Sequence, residues 1–225
     1  MKVMILAAGR GERMRPLTDI SPKPLLPVGE KPLIVWHLER LARAGIEEVV
    51  INTAHLGERL VAELGDGNTF GLSIQWSPEP VGALETAGGI RHALPLLGDK
   101  PFLVISGDIW CDWDASSLAT TSRGRDLAHL VLAPNPDHHA DGDFTLADGR
   151  VQLDGEGERL TYTGIGLFHP KLFATLADNA PLALRVPLRE AIAKGRVRGE
   201  AHYGEWEDVG TPERLAALDF RLRHP

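Results

Sequence analysis

The chain has 225 residues and a net charge of −7 at pH 7, and 43% of its residues are hydrophobic, which is ordinary for a water-soluble globular protein. The negative charge argues against a nucleic-acid partner held on a basic surface, and no apolar run is long enough to span a membrane. Cys111 is the only cysteine, so an intrachain disulfide is excluded and no oxidising compartment is implied. The first apolar run lies so close to Met1 that it leaves no room for a targeting peptide, and we therefore expect a cytoplasmic protein.

The first half of the chain alternates apolar runs with amphipathic segments. The apolar runs predict buried strands at 3–6, 48–52, 72–77 and 102–106. The amphipathic segments predict helices at 32–44, at 56–64 and after Thr86, where the threonine is expected to cap the helix. Because strand and helix alternate, we expect an α/β fold whose central sheet is mostly parallel and flanked by helices.

The second half is less regular and predicts strands joined by tight turns. Strands are expected at 127–133, 144–146, 151–153, 162–168 and 197–203, with turns at Asp148-Gly149 and Asp154-Gly155 that are typical of hairpins. A helix is expected at 186–194, and Thr211-Pro212-Glu213 predicts the start of a closing helix. No linker or repeat interrupts the chain, so we expect one Rossmann-like domain over 1–225 with hairpins added to its sheet.

A loop with two glycines follows the first predicted strand, in the sequence Leu6-Ala7-Ala8-Gly9-Arg10-Gly11-Glu12-Arg13-Met14-Arg15. Glycines let backbone N–H groups approach a ligand closely, and the arginines carry forked donors that match phosphate oxygens. Lys23 adds a third cation between Pro22 and Pro24. These features predict a site for a phosphate chain, although Arg15 could equally form a structural ion pair behind the loop.

Asp108 follows the strand at 102–106, and in open parallel sheets ligands bind beyond the carboxyl ends of the strands. Magnesium prefers one or two carboxylates together with phosphate oxygens, so Asp108 is a candidate ligand. A turn aspartate that only hydrogen-bonds local backbone is the alternative. His138 and His139 have no partner at metal-ligand spacing and are interpreted as loop residues.

Three motifs, L-A-A-G-x-G-x-R-M-R, S-P-K-P-L-L-P-V and the W-x-D-x-G-T-P-E around Asp208, resemble the signature of the sugar-1-phosphate nucleotidyltransferases. These enzymes join a nucleoside triphosphate to a sugar phosphate and release pyrophosphate. The resemblance implies Mg²⁺ held by Asp108 and Asp208, and it implies catalytic roles for Arg13 and Lys23. It also implies nucleotide binding by the first loop and by a segment near residue 85, through Ala7, Ala8, Gly9, Gly11, Glu12, Arg13, Lys23, Glu79, Gly82, Glu85 and Thr86.

The same segment bears on which base and sugar are used. The commoner family form has glycine where this chain has Glu85, but Leu-Glu-Thr-Ala-Gly-Gly is similar to a subgroup that transfers a uridylyl group from UTP to N-acetylmuramate 1-phosphate in cell-wall recycling. The Glu-Lys-Pro and Asn-Ala-Gly segments of many relatives are absent here. The candidates for sugar binding are Ser106, Gly142, Asp143, Glu158, Thr163 and Gly164. A lactyl carboxylate on the sugar could meet Arg159, Arg185 or a histidine.

The expected partners are UTP and a sugar 1-phosphate, with no nucleic acid and no membrane, and with the protein a monomer or a small homo-oligomer. Guanylyl transfer to mannose 1-phosphate and thymidylyl transfer to glucose 1-phosphate are the near alternatives. A regulatory subunit that binds nucleotide sugars without catalysis is an alternative of another class, against which the intact Arg13, Lys23, Asp108 and Asp208 argue. A dinucleotide-dependent oxidoreductase is disfavoured because the glycine fingerprint lacks its third glycine, and no P-loop sequence is present.

Overall fold

A computed structural model describes residues 1–80, 84–115 and 124–224. The first half of the chain contains the elements β1 (Val3–Leu6), α1 (Leu17–Ile20), β2 (Pro27–Val28), β3 (Lys31–Pro32), α2 (Leu33–Arg43), β4 (Glu48–Thr53), α3 (Gly57–Leu64), β5 (Ser73–Pro78), α4 (Glu85–Leu97) and β6 (Phe102–Ser106). The predicted strands and helices of this half are confirmed to within about a residue or two at their ends.

The second half contains β7 (Ile109–Cys111), β8 (Ala128–Ala133), β9 (Phe144–Ala147), β10 (Arg150–Gln152), β11 (Glu158–Phe168), α5 (Arg185–Ala193), β12 (Val197–Ala201), β13 (Trp206–Asp208) and α6 (Pro212–Arg223). The predicted hairpin at Asp148-Gly149 is confirmed, since β9 and β10 pair antiparallel across it. Thr211 caps α6 as predicted, because its side-chain oxygen accepts a hydrogen bond from the Arg214 N–H at 3.4 Å.

One sheet of nine strands runs in the order β5-β4-β1-β6-β11-β8-β12-β10-β9. The strands β5, β4, β1 and β6 are mutually parallel, as predicted, but β11 lies antiparallel to both β6 and β8. The sheet is therefore mixed, and the prediction of a mostly parallel sheet is not confirmed. The reason is that β11 follows the β9–β10 hairpin without a crossover helix, so it can re-enter the centre of the sheet in the opposite direction.

Both faces of the parallel half are covered by helices. Val3 and Ile5 of β1 pack with Leu38 of α2 in one core cluster, whereas Met4 packs with Ile90 of α4 in the cluster on the opposite face. All five side chains are fully buried, and each contributes about 1.5–3 kcal/mol to the free energy of unfolding. This burial fixes the carboxyl ends of β1, β4 and β6 at one edge of the sheet.

A separate ribbon of two strands was not predicted from the sequence. β7 and β13 pair antiparallel, with Asp208 opposite Ile109, and the Val209 N–H donates to the Asp108 carbonyl at 3.1 Å. Below the ribbon, the buried His37 donates from Nε2 to the Ile109 carbonyl at 2.8 Å. The ribbon thereby brings two aspartates together that are distant in sequence. In the part of the chain that the structure describes, no helix combines the length and the apolarity that crossing a membrane requires.

Candidate active site

The loop after β1 forms one wall of a cavity of about 410 Å³, which is called the first cavity. The predicted nucleotide-binding residues that the structure describes all line it: Ala7, Ala8, Gly9, Gly11, Glu12, Arg13, Lys23, Glu79, Glu85 and Thr86. Gly82 lies outside the described residues. The structure therefore brings the two predicted halves of the nucleotide site, which are about 70 residues apart in sequence, around one space.

Asn52, at the carboxyl end of β4, also lines the first cavity and was missed by sequence reasoning. Its Oδ1 accepts a hydrogen bond from the Ala7 N–H at 2.7 Å, and its Nδ2 donates to Glu79 Oε1 at 2.6 Å. The other oxygen of Glu79 accepts from the Leu84 N–H at 2.8 Å. This chain of hydrogen bonds fixes the loop after β1 relative to the start of α4. A polar residue closing the apolar run Val-Val-Ile-Asn was the available signal.

Lys23 carries the only buried ammonium group among the described residues. Its Nζ lies 2.7 Å from Asp108 Oδ2, and the side chain of the aspartate is 43% exposed. The pair joins the proline-flanked segment to the end of β6, so one cation and one carboxylate face the same space. Lys23 lines the first cavity, and ammonium groups bind phosphate oxygens as point charges. The lysine can therefore bind a phosphate group that enters this cavity.

Asp208 lies beside a second cavity of about 690 Å³, which shares Arg13, Ser106 and Asp108 with the first. Its Oδ2 accepts from Arg214 Nη1 at 3.0 Å and lies 3.7 Å from His138 Nε2. Gly210 makes the arginine contact possible, since a Cβ there would collide with the guanidinium. The two aspartates thus line one space, and each forms an ion pair with a cationic side chain.

The chain is similar to known proteins over most of its length. A family model described as nucleotidyl transferase matches residues 2–144. The chain belongs to the nucleotidyl transferase family. It is 50% identical over 221 residues to an N-acetylmuramate alpha-1-phosphate uridylyltransferase of Neisseria meningitidis, covering 96% of this chain and 95% of that one. It is 39% identical to the protein of the same name from Caulobacter vibrioides, covering 97% of this chain and 96% of the relative.

Solved structures agree with the fold. A crystal structure of a candidate glucose-1-phosphate thymidylyltransferase from Bacillus anthracis, in complex with sucrose, superimposes with a TM-score of 0.87 at 26% identity. It covers 100% of this chain and 96% of that one. The structure of HddC from Yersinia pseudotuberculosis in complex with GMP-PN superimposes with a TM-score of 0.80 at 19% identity, which shows the fold alone.

Among the predicted sugar-binding residues of this nucleotidyl transferase, Ser106, Asp143, Thr163 and Gly164 line the second cavity. The hydroxyl of Thr163 is engaged within the sheet, since it donates to the Val131 carbonyl at 2.8 Å and accepts from the Ile165 N–H at 3.1 Å. Its carbonyl accepts a hydrogen bond from Trp206 Nε1 at 2.9 Å, so Thr163 does not offer the cavity a free hydroxyl.

Two other candidates, Gly142 and Glu158, do not line either cavity. Gly142 has a φ of +58° and packs against the Asn135 amide, so its position is explained by the loop itself. Glu158 is exposed at the start of β11 and accepts a hydrogen bond from the Tyr203 hydroxyl at 2.5 Å. Their geometry favours structural roles.

The two arginines of the first loop are in different environments. Arg13 lines both cavities and forms no hydrogen bond or ion pair with the residues that the structure describes. Arg15 lines neither cavity, and its Nε lies 2.9 Å from Asp19 while its Nη1 lies 3.8 Å from Glu12. Of the two interpretations of Arg15, the geometry favours the ion pair behind the loop.

The start of α4 lacks the predicted threonine cap and has an unusual backbone conformation at Glu85. The helix begins at Glu85 with no side-chain cap, so the prediction that Thr86 caps it is wrong, and the threonine lines both cavities instead. Glu85 has a φ of +56°, in the left-handed region that favours glycine. This backbone conformation is a physical reason for the glycine that the commoner family form carries at this position.

Proposed function

We propose that this chain transfers a uridylyl group from UTP to N-acetylmuramate 1-phosphate, producing UDP-N-acetylmuramate and pyrophosphate. The observation that carries the proposal is the meeting of Lys23, Asp108 and Asp208 around two adjoining cavities. We assign one of these cavities to each substrate. The identity of 50% over nearly the whole length of the Neisseria relative supports the choice of UTP and N-acetylmuramate 1-phosphate.

In the proposed reaction, a phosphate oxygen of the sugar 1-phosphate attacks the α-phosphorus of UTP in line, and the bond from that phosphorus to the β-phosphate bridging oxygen breaks. The attacking oxygen is already anionic, so no general base is needed. Catalysis then depends on positioning and on charge neutralisation. Lys23 would hold the α-phosphate and the incoming phosphate, and the guanidinium of Arg13 would hold the leaving pyrophosphate.

The carboxylates of Asp108 and Asp208 fit a magnesium ion, because hard oxygen donors at the mouth of a phosphate site are the ligands that this ion prefers. Their side chains are 43% and 27% exposed, which leaves both accessible from the second cavity. Magnesium bound there would neutralise charge on phosphate oxygens. Arg214 would orient the Asp208 carboxylate through its hydrogen bond to Oδ2.

The test is pyrophosphate release by the purified protein with magnesium, crossing each nucleoside triphosphate against N-acetylmuramate, N-acetylglucosamine, glucose and mannose 1-phosphates. We expect release with UTP and N-acetylmuramate 1-phosphate. A preference for GTP with mannose 1-phosphate, or for thymidine triphosphate with glucose 1-phosphate, would overturn the substrate assignment. Silence across the panel would favour a regulatory subunit that binds nucleotide sugars without turnover.

The metal proposal has its own test. Removing divalent cations with EDTA should abolish pyrophosphate release, and adding Mg²⁺ should restore it. Asp108→Asn and Asp208→Asn should each weaken Mn²⁺ binding measured by electron paramagnetic resonance. Asp154→Asn is the control, because the Asp154 side chain is 92% exposed and lines neither cavity. Unchanged Mn²⁺ binding by both active-site variants would contradict the assignment of the two ligands.

A further inference from the structure

Arg185, the first residue of α5, lines the second cavity together with Ala183 and Leu184. Its side chain is exposed, and it forms no hydrogen bond or ion pair with any described part of the chain. Arg185 thus lines the same cavity as the sugar candidates Ser106 and Asp143, and a guanidinium group without a partner among the described residues can bind an anionic group of a ligand there.

The backbone that carries Arg185 is held firmly against the start of α4. The N–H groups of Ala87 and Gly88 donate to the Leu182 carbonyl at 2.8 and 3.2 Å, and the Leu182 N–H donates to the Leu84 carbonyl at 3.0 Å. A Cβ at Gly88 would collide with the Ala180 carbonyl, so the close approach of the two segments requires glycine there. The arginine is thereby positioned beside the part of α4 that lines both cavities.

Apart from Arg13, the other basic side chains that line the second cavity are those of His138 and His139, and both already have partners. His138 Nε2 lies 2.5 Å from Arg214 Nη1 and 3.7 Å from Asp208, and His139 Nε2 lies 3.1 Å from Asp143. Arg159, which the sequence left as an alternative to Arg185, does not line the cavity.

The environment of Arg159 explains that exclusion. Its guanidinium donates to the carbonyls of Asp141 and Leu153 at 2.6 and 3.1 Å. These backbone contacts tie it to neighbouring loops.

Arg13 lines the second cavity as well, but it also lines the first cavity, where the leaving phosphates are proposed to lie. Arg185 is therefore the cation best placed for a charged group on the sugar itself.

We propose that the Arg185 guanidinium binds the lactyl carboxylate of N-acetylmuramate 1-phosphate and so distinguishes this sugar from N-acetylglucosamine 1-phosphate, which lacks that group. The inference rests on the proposed function, since it assigns a specificity residue to that reaction. Arginine and carboxylate match in shape and charge, because two parallel N–H groups can donate to the two carboxylate oxygens. Lysine would supply the charge without this paired geometry.

The experiment compares Arg185→Gln and Arg185→Lys with Arg189→Gln, a matched control one turn further along the exposed face of α5 that does not line the cavity. The dissociation constants of UDP-N-acetylmuramate and UDP-N-acetylglucosamine are measured by calorimetry, so that the result does not depend on turnover. We expect Arg185→Gln to weaken binding of the muramate product by roughly tenfold to a hundredfold. Binding of the glucosamine product should stay within about twofold, with Arg185→Lys intermediate and Arg189→Gln unchanged.

Equal weakening of both products by Arg185→Gln, or no weakening of either, would overturn the inference. The wild-type protein is assayed beside the variants for pyrophosphate release from UTP and N-acetylmuramate 1-phosphate. If the wild type turns over but the variants keep their discrimination, only the role of Arg185 fails. If the wild type does not turn over with this sugar, the proposed function fails, and the inference fails with it.

Discussion

Lys23 Nζ lies 2.7 Å from Asp108 Oδ2, with the lysine side chain 8% exposed and the aspartate side chain 43% exposed. The lysine is thus a buried cation, and its partner is a carboxylate that remains partly exposed to solvent. The pair joins the proline-flanked segment, which precedes α2, to the carboxyl end of β6. In the proposed reaction, the same ammonium group would bind phosphate oxygens in the first cavity.

Substituting Lys23→Ala is expected to lower kcat/KM by about a thousandfold, the usual magnitude when a fixed donor to transition-state charge is removed. The cost to the free energy of unfolding should stay within about 1 kcal/mol, because Asp108 remains partly hydrated. The measurements are pyrophosphate release and chemical denaturation. Lys31→Ala is the control, since Lys31 forms a comparable pair with Glu39 at 2.5 Å outside both cavities. Wild-type turnover by Lys23→Ala would contradict the mechanism.

Arg13 and Arg15 allow a comparison within one loop. We expect Arg13→Ala to lower kcat/KM by about a hundredfold or more, because Arg13 lines both cavities and its guanidinium has no partner among the described residues. Arg15→Ala should change kcat/KM by no more than about threefold, since Arg15 is paired with Asp19 and lines neither cavity. Steady-state kinetics with varied UTP measures both. Equal losses in the two variants would show that the loop is rearranged when nucleotide binds.

The sequence predicts the parallel half of the fold well, for a physical reason. Val3–Leu6 and Phe102–Ser106 are continuously apolar because both faces of these strands are covered, and both were located to the residue. The β7–β13 ribbon was missed because its strands of three residues are too short for periodicity and no hairpin turn joins them, unlike the equally short β10. The insertion of β11 between β6 and β8 depends on tertiary pairing rather than on any local pattern.

The candidate site was predicted chiefly from its motifs, and the geometry adds what motifs do not contain. Asp108 and Asp208 were named from their contexts, but their approach to one another depends on the unpredicted ribbon. Asn52 was missed because one amide at the end of a strand is equally compatible with a turn. The choice between Arg159 and Arg185 depends on which guanidinium group already donates hydrogen bonds to neighbouring carbonyls. A sequence does not contain that information.

His37 should make stability depend on pH. Burial lowers the pKa of this imidazole to about 4, whereas its ordinary value is 6.5. Between these values the unfolded chain binds a proton that the folded chain does not, so the free energy of unfolding decreases as the pH falls from 6.5 towards 4. Through His37, the free energy of unfolding should be lower at pH 5 than at pH 7 by about 2 kcal/mol.

The measurement for His37 is urea denaturation at pH 7 and pH 5 for the wild type, His37→Gln and His224→Gln. We expect His37→Gln to lose about 2 kcal/mol less between the two pH values than the wild type does. His224→Gln should follow the wild type, because His224 is exposed near the end of the chain. An unchanged difference for His37→Gln would mean that the buried imidazole is not the source of the pH dependence.

Glu85 provides a test of backbone strain at the nucleotide site. Residue 85 has a φ of +56°, where only a residue with a Cβ is strained. The free energy of unfolding of Glu85→Gly should therefore exceed that of Glu85→Ala by about 1 kcal/mol. In an ordinary helical position the order is reversed, with glycine less stable than alanine by about 1 kcal/mol. Glu85→Gly and Glu85→Ala both remove the carboxylate that lines the cavities, so their difference isolates the backbone conformation. Chemical denaturation of the two variants should therefore give the larger free energy of unfolding for Glu85→Gly, and the opposite order would show that residue 85 does not adopt the left-handed conformation in solution.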